Sequence, residues 1–149
     1  MVNISNVLPM EKFTEPCMVD LPRIYDPRGN LTFIQNGDAV LPFTIERVYW
    51  TYDVPAGEER GGHSHHEGRE MLVALGGSFC VNLFDGQSWQ TFTLNRPYKA
   101  LYIPPGYWRT LDNFSSGSVC MVLTSTHYTE DDYVRDFDEF LKLSRRDEA

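Results

Sequence analysis

The sequence predicts an all-β domain, a sandwich or closed barrel of short strands, completed by one short C-terminal helix. Two observations carry that prediction. Short runs rich in β-branched and aromatic residues recur along the chain, each ended by a turn bearing Gly, Pro, Asn or Asp. Helical periodicity is nearly absent until residue 129. Such spacing of strands and turns belongs to sandwiches and barrels rather than to α/β folds.

The elements follow in order. The turn Asp26-Pro27-Arg28-Gly29 leads into a β-type run over 30–34. Residues 43–52, Phe-Thr-Ile-Glu-Arg-Val-Tyr-Trp-Thr-Tyr, suit a pleated, half-buried surface. Residues 70–84 read as two strands bent at Gly76-Gly77, and Asp85-Gly86-Gln87-Ser88 as a hairpin turn. Runs at 90–94, 99–103, 108–114 and 118–125 continue the pattern. At the end, Tyr133, Phe137, Phe140 and Leu141 fall at helical spacing behind Thr129, a residue suited to an N-cap. They predict a helix that lays an aromatic stripe on the barrel. Without internal repeats or long linkers, residues 1–149 read as a single domain.

A formal charge of −8 excludes nucleic acid and an anionic membrane as principal partners. It leaves room for a local basic pocket that takes an anionic small ligand. Cys17, Cys80 and Cys120 form no CxxC pair, which fits reduced thiols in a cytoplasmic protein. No basic segment followed by an apolar run opens the sequence, so no signal peptide is expected. No apolar run approaches the roughly 18 residues of a membrane-spanning helix.

Residues 57–70, Gly-Glu-Glu-Arg-Gly-Gly-His-Ser-His-His-Glu-Gly-Arg-Glu, hold three of the four histidines. On a strand, His63 and His65 share one face, about 7 Å apart at the alpha carbons. Ser64 and His66 then point the other way, and Glu70, after the turn, can face the same cavity as His63 and His65. His66 reads as a solvated turn residue and His127 as a strand-end histidine without a special role. The spacing Gly57, His63-x-His65, Glu70, Gly77 resembles the first sequence motif of the cupins at every anchor. The second motif is present as Pro104, Gly106 and Asn113, but Arg109 stands where the fourth metal ligand belongs. This resemblance implies a cupin double-stranded β-helix, or jelly roll, with His63, His65, Glu70 and Arg109 facing one cavity.

Arg109 decides what the cavity is for. A guanidinium is always charged, has no lone pair to lend, and repels a divalent ion close by. An organic ligand and proton transfer by His63 and His65 are therefore expected, with no metal and no cofactor. The alternative is a facial triad of His63, His65 and Glu70 holding iron, as in a dioxygenase. A third reading is a sugar-nucleotide-binding cupin without catalysis.

The chain also resembles a narrower group, the sugar-nucleotide 3,4-ketoisomerases, or WxcM-like, FdtA-type cupins. The residues that carry the resemblance are Pro42–Trp50, Arg60–His66, Asn95–Arg109 and Phe114–Gly117. Glu70 stands where that family is expected to have Gln, and His66 where it has Lys. The resemblance implies movement of a ketone from C4 to C3 of dTDP-4-keto-6-deoxyglucose through an enediol(ate), in deoxyamino-sugar biosynthesis. It implies His65 as a proton-transfer residue, His63 as a second acid/base or a polariser of the sugar oxygens, and Tyr52 as a further proton relay or hydrogen-bond donor. Arg28 and Arg60 are candidates for the pyrophosphate, Arg109 for a contact to the sugar or the phosphate, and Glu70 for a further contact to the substrate. A homodimer is expected as well. The apolar Val7, Leu8, Met10 and Phe13 would lie on an N-terminal strand exchanged between protomers.

Overall fold

A computed structural model describes residues 13–146. The chain runs through β1 (Cys17–Asp20), β2 (Arg23–Ile24), β3 (Leu31–Thr32) and β4 (Arg47–Tyr52). Then come β5 (Arg60–His65), β6 (Glu70–Gly76), β7 (Phe79–Phe84) and β8 (Trp89–Leu94). β9 (Lys99–Ile103), β10 (Trp108–Asp112) and β11 (Val119–Thr124) complete the barrel strands, followed by β12 (Tyr133–Val134) and α1 (Phe137–Arg146). Two five-stranded sheets result, in the orders β1-β9-β6-β11-β4 and β12-β5-β10-β7-β8, with β2 and β3 as a separate hairpin. The pairings are antiparallel, as the short connections require.

The uninterrupted apolar run of β6 has a structural reason. Leu72 and Ala74 pack between the sheets with Phe79, Leu101 and Val122. Met71 and Val73 lie under an outer layer containing Phe13, Val19, Leu41 and Tyr102. A strand covered on both faces needs no polar alternation. The bend at Gly77 needs glycine: its φ is +65°, and a Cβ would fall 2.6 Å from Ser115 Oγ. In the next turn Asp85 Oδ1 accepts the N–H groups of Gln87 and Ser88, so the expected hairpin forms.

The C-terminus departs from expectation in one respect. Thr129 precedes a 3-10 turn, Glu130–Asp132, and makes no side-chain cap. Tyr133 is not helical; with Val134 it forms β12, pairing with His65 and Ser64 on the open edge of β5. A free ladder edge satisfies backbone groups that a premature helix would leave unpaired. The helix begins four residues later, where Asp136 Oδ1 accepts the N–H of Asp138. Its apolar stripe then forms, Phe140 packing on Trp108 and Phe84.

Of the four N-terminal apolar residues, Val7, Leu8 and Met10 lie outside the described residues. Phe13 is buried in its own chain, edge-on to Tyr102 at 5.4 Å. Its partner is internal.

Because Phe140 is the fully buried side chain of α1 among the described residues, Phe140→Ala should cost about 3–5 kcal/mol. Urea unfolding followed by fluorescence measures it as a lower midpoint with little change in slope.

Candidate active site

Four strands and the turn before β12 meet at one end of the barrel interior. β5 delivers His63 and His65, β6 opens with Glu70, and β10 pairs Arg109 opposite His63. The burial order in β4 alternates, so Arg47, Tyr49 and Thr51 face inward while Val48, Trp50 and Tyr52 face out. His65, Glu70 and Arg109 are all nearly inaccessible, at 2 %, 1 % and 2 % exposure, and His63 is half-buried.

Glu70 is fully engaged. Arg109 Nη1 donates to its Oε1, and Tyr49 OH donates to its Oε2 at 3.0 Å. His65 stands between two carboxylates. Its Nδ1 meets Asp132 Oδ2 at 2.9 Å, while Nε2 lies 3.4 Å from Glu70 Oε1 without the alignment of a hydrogen bond. Asp132 also accepts the N–H groups of Glu67 and Gly68, which fixes the turn between β5 and β6. Tyr133 covers both imidazoles, its ring centroid 4.4 Å from that of His65 and 5.0 Å from that of His63. The Nε2 atoms of His63 and His65 are buried with no hydrogen-bond partner.

These contacts set the charge states. Burial, reinforced by Arg109 and His65, pushes the His63 imidazole down to about 3, so it is neutral at physiological pH. Burial alone would raise the Glu70 carboxyl, but Arg109, with His65 behind it, outweighs that and holds it to about 2. Desolvation and the neighbouring Glu70 charge push the Tyr49 phenol far above its ordinary value. The site thus pairs a neutral imidazole with a fixed carboxylate and a fixed guanidinium.

One backbone device gives β5 this shape. Between Arg109–His63 and Thr110–Gly61 the register slips by one residue. Gly61 and Gly62 both have positive φ, and a Cβ on Gly61 would sit 2.9 Å from the Arg109 carbonyl oxygen. This bulge turns Arg60 to pair with Leu111, whose side chain is in the core.

Sequence reasoning placed His63, His65, Glu70 and Arg109 in one cavity, and the structure brings them together. Tyr52 is not among them. It is 60 % exposed on the outward face of β4, whereas Tyr49 supplies the hydroxyl at Glu70. The strand's inward set is odd-numbered, which the mixture of aromatic and β-branched residues on both faces concealed. Arg60 lines a separate cleft of about 360 Å³ with Trp50, Tyr52 and Glu58, at the other end of β5 from His65. Arg28 is exposed on the turn between β2 and β3 and forms a two-pronged ion pair with Asp26. His127 pairs with Glu46 on the surface, and His66 is exposed. Asp132 and Tyr133 were missed as site residues because the sequence places them in a helical stretch.

Donor atoms of His63, His65 and Glu70 all lie within 4.8 Å of one another, the spacing a metal would want. The set nevertheless does not suit a divalent ion. One carboxylate oxygen already receives Arg109, a permanent cation that an incoming ion would have to displace and then sit beside.

A jelly roll whose inward histidines face a carboxylate and an arginine has the architecture of a cupin. The family described as "FdtA: WxcM-like, C-terminal" matches residues 14–145, and the chain belongs to it. A curated relative, the TDP-4-oxo-6-deoxy-alpha-D-glucose-3,4-oxoisomerase of Aneurinibacillus thermoaerophilus, is 41 % identical over 84 % of this chain and 89 % of its own. A mutant of the 3,4-ketoisomerase QdtA from Thermoanaerobacterium thermosaccharolyticum, solved with TDP-4-keto-6-deoxyglucose, superposes with a TM-score of 0.86 at 33 % identity, covering 89 % of this chain and 96 % of that one. The WlaRB TDP-quinovose 3,4-ketoisomerase of Campylobacter jejuni gives a TM-score of 0.81 at 36 % identity, over 87 % and 98 %.

Acid should weaken this fold in two stages. The folded state disfavours protonated His63, so its contribution falls as pH drops below the ordinary 6.5 toward about 3. The Glu70 contribution is present above 4.5 and lost as pH falls through about 2. Thermal melting against pH should therefore decline from near neutrality downward. In His63→Asn the decline between pH 6.5 and 4.5 should flatten, leaving the carboxylate limb in place.

Proposed function

We propose that the protein is a sugar-nucleotide 3,4-ketoisomerase that converts a TDP-linked 4-keto-6-deoxyhexose to its 3-keto isomer by histidine acid/base catalysis. The observation that carries the mechanism is the pair of buried, unpartnered Nε2 atoms on one face of β5. Buried polar atoms are normally satisfied, and two left free side by side are available to a ligand.

The chemistry balances without an external oxidant. The C3–H bond breaks, its electrons form the C3–C4 double bond of an enediolate, and negative charge passes to O4. A proton added at C4 forms the new C–H bond, while O3 gives up its proton to become the carbonyl oxygen and O4 ends as a hydroxyl. His65 is the proposed carrier at carbon. With Nδ1–H donated to Asp132, Nε2 is left as the proton acceptor, on the side of the ring that faces Glu70. His63 is the second acid/base, exchanging protons with the sugar oxygens. Its low proton affinity rises as negative charge develops beside it, so it gains a proton when the enediolate forms and returns it afterwards. Arg109 supplies fixed positive charge to the same intermediate, and Glu70 holds Arg109 in place.

A homodimer belongs to the same reading. The outward face of β4 and β6 exposes Val48, Trp50 and Leu75 beside an apolar depression of about 520 Å³. An apolar face of this kind is usually covered by a partner. The 3-keto product is suited to amination at C3, which places the reaction in deoxyamino-sugar synthesis, as for a lipopolysaccharide O-antigen. The compartment consistent with reduced cysteines is the cytoplasm.

Incubation with TDP-4-keto-6-deoxyglucose should yield the 3-keto sugar, seen by NMR of the product. His65→Asn should lower turnover by about 10² to 10⁴ while dTDP affinity stays near wild type. Full turnover in that variant would sink the histidine mechanism. Sedimentation should give a dimer at micromolar concentration, and a monomer there removes the assembly from the proposal.

A further inference from the structure

Tyr133 has no part in the reaction as described so far, yet its ring is closely held. β12 pairs it directly with His65. The ring centroid lies 4.4 Å from that of His65 and 5.0 Å from that of His63. The Arg135 guanidinium carbon lies over the same ring, 4.3 Å from its centre, and Arg135 is held in turn by Glu130. Arg47 Nη2 meets the Tyr133 hydroxyl at 3.4 Å. A ring gripped by a paired guanidinium is a stiff cover.

Exposure rises outward through this stack. His65 is 2 % exposed, Tyr133 is half-buried, and Arg135 and Glu130 are exposed. The phenol therefore lies between the imidazoles and water. Its apolar ring carbons give a water molecule nothing to bind on that side of the histidines.

A dry imidazole handles a proton differently from a wet one. Nε2 takes a single hydrogen, so a hydrogen gained from substrate is not diluted among others, as it would be on an ammonium. It can be lost only to water or to a neighbouring acceptor. Neither nitrogen of His65 opens to bulk water: Nδ1 meets the buried Asp132 at 2.9 Å, and Nε2 is buried. The nearby Glu70 Oε1, 3.4 Å from Nε2, is already committed to Arg109. Excluding water from a reacting site also stops leakage of a proton in transit. With a hexose bound, the sugar itself would close the side that Tyr133 leaves.

We infer that Tyr133 shields the His65 imidazole from water, so that the hydrogen taken from C3 is the one delivered to C4. The inference rests on the isomerase reading of the site. Tyr133 is then a positioning residue that acts through His65. Two measurements on the full chain test it. In the first, TDP-4-keto-6-deoxyglucose carrying deuterium at C3 is incubated in ordinary water. The product is trapped early by borohydride, and its C4 label is read by NMR. Wild type should keep most of the deuterium at C4. In Tyr133→Ala the retained fraction should fall several-fold, whereas Tyr133→Phe, which keeps the ring, should match wild type. Retention is a ratio per turnover, so a slower or less stable variant does not alter it. A merely structural tyrosine predicts lower turnover with unchanged retention.

The second measurement needs no turnover. Carbethoxylation of His65 by diethyl pyrocarbonate, mapped by peptide mass spectrometry well below each melting temperature, should be slow in wild type and Tyr133→Phe. In Tyr133→Ala it should be about tenfold faster, because reaction no longer waits on local opening. Equal rates in wild type and Tyr133→Ala overturn the shield. So does a wild-type product without deuterium at C4, or equal retention in wild type and Tyr133→Ala. If 3-keto product forms but the label washes out of wild type, only the Tyr133 assignment fails. If no 3-keto product forms, the isomerase reading fails, and the carbethoxylation rates alone decide whether Tyr133 covers His65.

Discussion

The buried ion pair between Glu70 and Arg109 constrains everything else at this site. Both side chains are almost wholly removed from water, and neither could be tolerated there alone. Removing one partner of such a pair typically costs about 3–5 kcal/mol, because the survivor is left as an uncompensated charge. The pair therefore fixes the start of β6 relative to β10. It also decides the chemistry available to the histidines. Arg109 helps to keep His63 neutral, and its grip on Glu70 removes the one carboxylate that a facial metal triad would need. A cavity with metal-like donor spacing is made unsuited to a divalent ion by a single guanidinium.

Around that pair, the C-terminal segment closes the site. β12 adds to the open edge of β5 in a register that sets Tyr133 beside His65, and the residue before it, Asp132, holds the imidazole and the turn from β5 to β6. One short segment thus orients the ring, covers it and completes the sheet. α1 secures this arrangement from outside by packing Phe140 on Trp108, the residue adjacent to Arg109. Stability in the helix is thereby coupled to the geometry of the site through Trp108, on which both Phe137 and Phe140 pack.

The sequence disclosed the barrel because its signals are local. Alternating or continuous apolar runs, Gly and Asp turns, and the two cupin motifs each act over a few residues, and they agree with one another. The cavity set of His63, His65, Glu70 and Arg109 was readable for the same reason, since period-two geometry and motif spacing determine it. Tyr52 misled because Tyr49 and Tyr52 differ in strand parity, and nothing local says which parity faces inward. Asp132 and Tyr133 were hidden by a different effect. Their helical spacing is real, but the unpaired edge of β5, remote in sequence, offers the backbone a better partner. Long-range pairing overrode a local preference.

Preorganisation explains why the protein accepts so many unsatisfied groups here. The Nε2 atoms of both histidines, and the Nε atoms of Arg47 and Arg109, are buried without hydrogen bonds. Each such atom costs stability in the ligand-free state. A cavity that satisfied them all would be more stable and would have nothing to offer a substrate. In the proposed reaction, donors and acceptors already desolvated and aimed would need no reorganisation when charge moves from C3 to O4, so their cost would fall on folding rather than on the reaction barrier. The surrounding core, with β6 buried on both faces, supplies the margin that makes this tolerable. The division is spatial as well. Apolar side chains fill the barrel toward Phe79 and Phe114, while the unsatisfied polar atoms gather near β12. The proposed substrate brings one carbonyl oxygen and a neighbouring hydroxyl, which would supply partners for the histidines in this desolvated corner.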